Sequence, residues 1–122
     1  MSRCGSKAKV VLFIGNQPIR LNLTSGFLKQ HGWTVLTSGN THDAIRRFAC
    51  EHVDIVVLDL NGQGAESVLV ASELKRLRPQ IPVVVLCSEG RPNPQDASGC
   101  ADRLVDAEQP DALLSALRDL TA

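Results

Sequence analysis

The chain has 122 residues, which fits one domain able to bury a core without disulfides or a structural metal. Lys and Arg together number 13, as do Asp and Glu, so the net charge of zero gives no general attraction to nucleic acid or to an anionic membrane. With one Trp, three Phe and no Tyr, the chain has few rings on which bases could stack.

Five strand signals follow a small, polar segment. Residues 1–8 predict a flexible N-terminal lead, and residues 9–122 predict the folded domain. Short, continuous apolar runs are typical of parallel strands that are buried on both faces. The predicted strands are Val10–Ile14, Thr34–Thr37, Val53–Leu60, Ile81–Leu86 and Arg103–Val105.

Helical patterns separate these strands. The first helix opens at Pro18, with Asn16 as its predicted cap, and the second is predicted to start at a Thr41 cap. A third covers Ala65–Leu77, and the last begins near Pro110. The inward stripe of the first helix is predicted to comprise Leu21, Leu23, Phe27 and Leu28.

Alternating strands and helices predict an α/β fold with a parallel sheet covered by helices on both faces. Five strands favour a flavodoxin-like, doubly wound order 2-1-3-4-5 over a Rossmann order. Ligands of such sheets bind beyond the carboxyl ends of the strands. The polar residues predicted to converge at that edge are Asn16, Asp59, Cys87, Ser88 and Asp106.

Asp59 is the main candidate, because a carboxylate at a strand end can act as a nucleophile toward a phosphoryl donor. Such chemistry normally needs a divalent cation that neutralises the approaching negative charge. The alternative is a solvated carboxylate, or one that orders the glycine-containing loop after it, and spacing alone does not separate the two.

The ordered set of strand segments resembles the receiver domain of response regulators, of the kind found in chemotaxis regulators. The similar segments are Lys9–Pro18 (KVVLFIGNQP), Val53–Leu60 (VDIVVLDL), Ile81–Leu86 (IPVVVL) and Gly99–Val105 (GCADRLV). This resemblance covers roughly residues 9–120. It implies that Asp59 stands at the phosphoacceptor position, that magnesium is the cofactor, and that the chain is a signalling module rather than an enzyme.

The expected metal site is incomplete. Gly15 and Asn16 stand where the family usually carries two acidic magnesium ligands. The resemblance leaves Asp59, Asn16 and the backbone carbonyl of Asn61 as ligands. Since a neutral amide oxygen is a poorer partner than carboxylate for a hard dication, magnesium binding is predicted to be weak or absent.

The rim of the phosphate pocket also departs from the family. Cys87 stands at the position of the hydroxyl residue, with Ser88 one place late, and Asp106 replaces the lysine that would pair with phosphate. Arg103 replaces the switch aromatic. In the region of the family's fourth helix, residues 89–98 contain two prolines and predict a short, irregular or absent helix.

Three functions stay open. The first is a receiver-type module of two-component (phosphorelay) signalling, whose partner is a histidine kinase, an output domain or another signalling protein. The second is a pseudo-receiver that binds its partner without phosphorylation. The third is a small-ligand-binding domain of the same fold, for which the sequence lacks a Ser/Thr phosphate cradle. We expect a cytoplasmic protein with no membrane contact and no nucleic-acid contact of its own, and a homodimer remains open.

Overall fold

Strands and helices alternate along the chain. The computed structural model describes residues 9–15, 17–59, 64–87, 102–106 and 109–121, with the backbone alone at 64–68, 87, 104 and 106. The elements are β1 (Val10–Gly15), α1 (Pro18–Gln30), β2 (Thr34–Ser38), α2 (Thr41–Cys50), β3 (Ile55–Asp59), α3 (Gly64–Leu77), β4 (Val83–Cys87), β5 (Arg103–Asp106) and α4 (Pro110–Thr121).

The five strands form one parallel sheet in the order β2-β1-β3-β4-β5. This confirms the predicted flavodoxin-like winding. The register places Gly15 opposite Asp59 and Cys87 opposite Asp106, so the last residues of β1 and β3, and of β4 and β5, are paired. All of these strand ends lie at the carboxyl edge of the sheet, where the sequence predicts a site.

Each face of the sheet carries its own apolar core. Because side chains alternate between faces along a strand, neighbouring residues of β1 and β3 enter different clusters. Helices α2 and α3 cover one face, and the cluster there includes Leu12, Ile14, Phe48, Val56, Leu58 and Leu74. Helices α1 and α4 cover the other, with Val11, Phe13, Leu28, Ile55, Val57 and Leu117.

Both predicted helix caps are wrong by one residue. Helix α1 has Gln17 as its N-cap, without a side-chain hydrogen bond, in place of Asn16. Helix α2 has Asn40 in place of Thr41, and the Asn40 side chain accepts a hydrogen bond of 2.7 Å from the backbone N–H of Asp43. Asn40 therefore satisfies one of the donors that a helix start leaves unpaired.

The predicted inner stripe of α1 is also wrong at one position. Leu28 is fully buried, whereas Leu23 is 71% exposed and Ile19 is 77% exposed. The helix ends in a Schellman motif, in which the backbone N–H of Trp33 donates to Leu28 O and that of Gly32 to Lys29 O. Gly32 has a φ of 91°, which a residue with a Cβ rarely adopts.

Some expectations fall outside the described part of the chain. The predicted lead at residues 1–8 and the proline-containing segment at 89–98 both lie there. Within the described ranges, no helix combines the length and the apolar character that crossing a bilayer requires.

Candidate functional site

Asp59 is the last residue of β3, the central strand of the sheet. It shares the face of Ile55 and Val57, because residues two apart along a strand point the same way, and this is the face that α1 covers. Only 2% of Asp59 is exposed. Gly15 lies opposite it on β1 and contributes no side chain. The carboxylate is therefore held at the carboxyl edge, under the start of α1.

Arg20 is the counter-charge of this carboxylate. Its Nη1 donates a hydrogen bond of 3.2 Å to Oδ1 of Asp59. The Arg20 side chain is 28% exposed and that of Asp59 is 3% exposed, so the pair joins a buried anion to a partly solvated cation. Burying a carboxylate is costly unless it is paired, and Arg20 supplies that partner.

The position of Arg20 in its helix needs an explanation. It lies in the first turn of α1, which has no acidic residue. A positive side chain is unfavourable at a helix N-terminus, where the backbone N–H groups already carry partial positive charge. The carboxylate of Asp59 offsets this, because it brings a negative charge to the same turn. The pair therefore links the end of β3 to the start of α1.

Burial raises the pKa of the Asp59 carboxyl above its usual value. The positive charge of Arg20 and its hydrogen bond to Asp59 both lower that pKa, but they do not cancel the effect of burial. A raised pKa together with a specific charge partner is typical of functional sites, although structural ion pairs share this feature.

The other predicted site residues are described less fully. Cys87 and Asp106 end β4 and β5, and their backbones lie opposite each other at the same edge as Asp59. Asn16, Asn61 and Ser88 lie outside the described residues. The predicted roles of these five residues as metal ligands or as the phosphate rim therefore stay predictions.

Arg103, at the position of the family's switch aromatic, begins β5 at the opposite end from Asp106. Its Nη1 donates a hydrogen bond of 3.3 Å to Oδ2 of Asp119 on α4. The two side chains are 42% and 59% exposed, so this pair is a surface contact between the edge strand and the last helix. Such pairs contribute little to stability, about 0–1 kcal/mol.

The described side chains supply no second acidic ligand for a divalent cation at Asp59. In the ranges that the structure covers, no three His, Cys, Asp or Glu side chains come together as a metal-binding group. Gly15 offers no ligand, and the guanidinium of Arg20 already lies 3.2 Å from Oδ1 of Asp59. A hard dication prefers several oxygen ligands and is repelled by a neighbouring positive charge.

Two other aspartates have a structural role in this fold, because each accepts a hydrogen bond from the backbone at the start of a strand. Asp54 accepts a hydrogen bond of 2.7 Å from the backbone N–H of Val10 at the start of β1. Asp102 accepts one of 2.7 Å from the N–H of Val83 at the start of β4, and it also pairs with Lys75. Both stabilise strand starts at the opposite edge, whereas Asp59 is paired with the Arg20 side chain at the carboxyl edge.

Arg20 was not among the site residues predicted from the sequence. One signal was available, since a basic residue stands two places after Pro18, in the first turn of the helix that follows β1. Helix N-termini favour acidic residues, so this placement indicates a nearby anion. Asp59 was already predicted to lie at the same edge of the sheet.

Sequence comparison finds relatives among signalling proteins. The chain is 27% identical over 89 residues to the probable transcriptional regulatory protein TcrX of Mycobacterium tuberculosis. It is 27% identical over 84 residues to the autoinducer 1 sensor kinase/phosphatase LuxN of Vibrio campbellii. These matches cover 73% and 69% of this chain but only 38% and 10% of the two relatives. No protein-family profile matches the chain.

Structure comparison finds receiver domains over nearly the whole chain. The response regulator TrrA of Thermotoga maritima, solved in complex with Mg²⁺ and BeF, has a TM-score of 0.81 at 23% identity, covering 92% of this chain and 98% of TrrA. The receiver domain of a sensor histidine kinase from Pseudomonas aeruginosa, with magnesium in its active site cleft, has a TM-score of 0.82 at 12% identity, covering 94% and 98%.

The chain thus has the fold of response-regulator receiver domains, and the predicted resemblance to them is confirmed. Identities this low between the solved structures establish the fold alone. Together with the curated relatives, they support a receiver domain of two-component signalling.

Proposed function

We propose that this chain is a receiver-type module of two-component signal transduction that acts through protein–protein contacts, with Asp59 at the phosphoacceptor position of a weakened pocket. One observation carries the proposal: a buried carboxylate ends the third strand of a receiver fold, opposite Gly15, where the expected acidic neighbour is missing. The module would span residues 9–122 and would not be an enzyme in its own right.

The chemistry open to Asp59 is nucleophilic. An oxygen of the carboxylate would attack the phosphorus of a phosphodonor, forming an acyl phosphate while the bond from phosphorus to the donor's leaving group breaks. Magnesium, where it is bound, neutralises charge on the transferring group. This chain would hold that ion through Asp59, Asn16 and the carbonyl of Asn61, with Cys87, Ser88 and Asp106 around the phosphate.

Two features of the described residues would weaken this reaction. Arg20 occupies Oδ1 of Asp59, and the resulting ion pair must rearrange before the oxygen can attack. Gly15, opposite Asp59, also supplies no second carboxylate for the magnesium ion that such a transfer normally needs.

The partners that suit this function are a histidine kinase, an output domain or another signalling protein in the cytoplasm. The curated relatives carry names of regulators and of a sensor kinase/phosphatase, and the chain spans only a part of each. A net charge of zero gives the chain no excess of positive charge with which to bind nucleic acid.

The test uses a small phosphodonor, such as phosphoramidate, with and without magnesium, and intact-mass spectrometry. We expect a slow gain of the mass of one phosphoryl group, located on Asp59 by peptide mapping and absent from Asp59→Asn. An adduct on another residue, or an equal adduct on Asp59→Asn, contradicts the assignment of Asp59.

A second function is favoured by the Arg20–Asp59 pair. If this pair persists in every state, the chain is a pseudo-receiver whose surface is recognised without phosphorylation. The wild type then forms no adduct with the phosphodonor, and Asp59→Asn binds its signalling partner as tightly as the wild type does. A large loss of partner binding in a folded Asp59→Asn variant argues against the pseudo-receiver.

A further inference from the structure

The ion pair of Arg20 and Asp59 neutralises the buried carboxylate from inside the protein. Asp59 is almost fully covered, so its negative charge needs a positive partner nearby. In the receiver domains from T. maritima and P. aeruginosa, the solved structures contain magnesium. In this chain, the positive charge closest to Oδ1 among the described residues is the guanidinium of Arg20, at 3.2 Å.

The neighbouring residues suit an arginine better than a metal. Gly15, opposite Asp59, adds no second carboxylate, and the Arg20 guanidinium pairs with the Asp59 carboxylate. A Cβ at Gly15 would lie 3.3 Å from Cδ1 of Leu21 and 3.5 Å from the backbone oxygen of Asp59, so Leu21 would have to shift by a few tenths of an ångström to admit a side chain there. The pairing of Arg20 with Asp59 and the packing at Gly15 therefore both favour an arginine at this carboxylate.

Arg20 and a divalent cation would also exclude each other. The guanidinium and a doubly charged ion bound to the same carboxylate would lie a few ångströms apart, and their repulsion would be strong in this partly buried setting. Arg20 is 28% exposed, so it has a route to solvent if it is displaced.

We propose that the Arg20 guanidinium takes the place of the divalent cation at Asp59, so that a metal ion binds this carboxylate only by displacing Arg20. The inference rests on the proposed function, because it concerns the same carboxylate. It makes the occupant of the site a side chain of the protein, and it makes magnesium a competitor of that side chain rather than a resident cofactor.

The test is a magnesium titration followed by ¹⁵N NMR at the amides of Gly15 and Asp59, which face each other across β1 and β3. Arg20→Gln removes the charge and keeps a polar side chain of similar length. Arg20→Lys retains a positive charge at the site. Arg76→Gln is the matched control, because Arg76 pairs with Glu73 on the exposed surface of α3 and carries the same charge.

Arg20→Gln is expected to lower the magnesium concentration at the midpoint by about tenfold relative to the wild type, equivalent to ~1.4 kcal/mol for the lost repulsion. Arg20→Lys and Arg76→Gln should stay within about twofold of the wild type, a difference below ~0.5 kcal/mol.

Equal midpoints for wild type and a folded Arg20→Gln variant overturn the proposal, and so does the absence of saturable binding in both. If Arg20→Gln does not fold, Arg20→Met takes its place under the same criteria. No phosphodonor enters this experiment, so failure of phosphorylation and failure of the competition are separate results.

Discussion

A double-mutant cycle between Arg20 and Asp59 measures the strength of the ion pair in solution. The cycle compares Arg20→Gln, Asp59→Asn and the double variant with the wild type. Two unit charges 3.2 Å apart attract by about 5 kcal/mol at an effective dielectric constant of 20, which is an upper bound. Arg20 is 28% exposed, so solvent screens the attraction, and we expect a coupling free energy of about 1–3 kcal/mol, between the values for surface and buried pairs.

The two single variants should differ in their cost. Arg20→Gln leaves a buried carboxylate without its counter-charge and should lower the free energy of unfolding by about 2 kcal/mol at neutral pH. Asp59→Asn removes that buried charge, and Arg20 can turn to solvent, so its effect should stay within about 1 kcal/mol. The ion pair thus predicts that Arg20→Gln costs more stability than Asp59→Asn, and that the effects of the two substitutions are coupled.

The pH dependence of Arg20→Gln has a defined sign. The folded-state pKa of Asp59 is already raised by burial, and removal of Arg20 raises it further. Between the pKa of Asp59 in the unfolded state and its higher pKa in the folded state, the folded protein binds more protons than the unfolded chain. Its free energy of unfolding therefore falls as the pH rises through this window. The loss of stability in Arg20→Gln, relative to the wild type, should therefore be largest above the folded-state pKa of Asp59 and small below its unfolded-state pKa.

Urea unfolding is the assay, followed by far-UV circular dichroism and by the fluorescence of Trp33, the single tryptophan, which packs against the α1/α4 core. A coupling free energy below about 0.5 kcal/mol in variants that fold would refute the ion pair, because that is the scatter expected for independent sites.

The remaining predictions concern the fold and use the same unfolding assay. Phe48→Ala, at a fully buried ring in the α2/α3 core, should cost about 3–5 kcal/mol, and a cost below about 1 kcal/mol would contradict its placement. Gly32→Ala should destabilise the protein by about 1 kcal/mol because Gly32 has a positive φ. Gly26→Ala, in the exposed middle of α1, should instead stabilise it by about 0.5–1 kcal/mol. Effects of the same sign would contradict the geometry of the helix end. Ser25→Ala should be neutral or stabilise by up to about 1 kcal/mol, since the buried Ser25 hydroxyl has no hydrogen-bond partner among the described residues, and a loss above about 1 kcal/mol would indicate one.

The winding of the sheet followed from the sequence because both of its faces are buried. A strand covered on two sides must be apolar at every position, so β1, β3 and β4 appear as continuous apolar runs. Their alternation with helices then leaves few topologies for five strands. The same logic placed Asp59 at the carboxyl edge, since it directly follows such a run.

The orientation of α1 did not follow from the sequence. Its apolar residues occur on more than one side, and Leu23 and Ile19 are exposed while Leu28 is buried. A pattern of this kind does not define one inward face, so the partner of a given side chain depends on how the helix packs on the sheet. Arg20 in the first turn of α1 indicates a nearby anion, but which anion it meets depends on this packing.

The helix caps show a similar limit. Asn40 and Thr41 are both good capping residues. The cap is the last residue before the helix whose backbone is still extended, and here that residue is Asn40. At α1, Pro18 fixes the start, and Gln17 takes the cap position without forming a side-chain bond. Sequence patterns therefore located both helices correctly but not the residue that caps each of them.

The most direct test of a carboxylate neutralised by Arg20 is a pair of crystal structures, one grown without divalent cations and one grown in excess magnesium. Without divalent cations we expect electron density for the Arg20 guanidinium against Oδ1 of Asp59, and wherever a magnesium ion is bound to that carboxylate we expect Arg20 to be turned toward solvent. An Asp59 carboxylate not paired with Arg20 in the metal-free crystal, or a magnesium ion on Asp59 with Arg20 still against Oδ1, would contradict the role that we assign to Arg20.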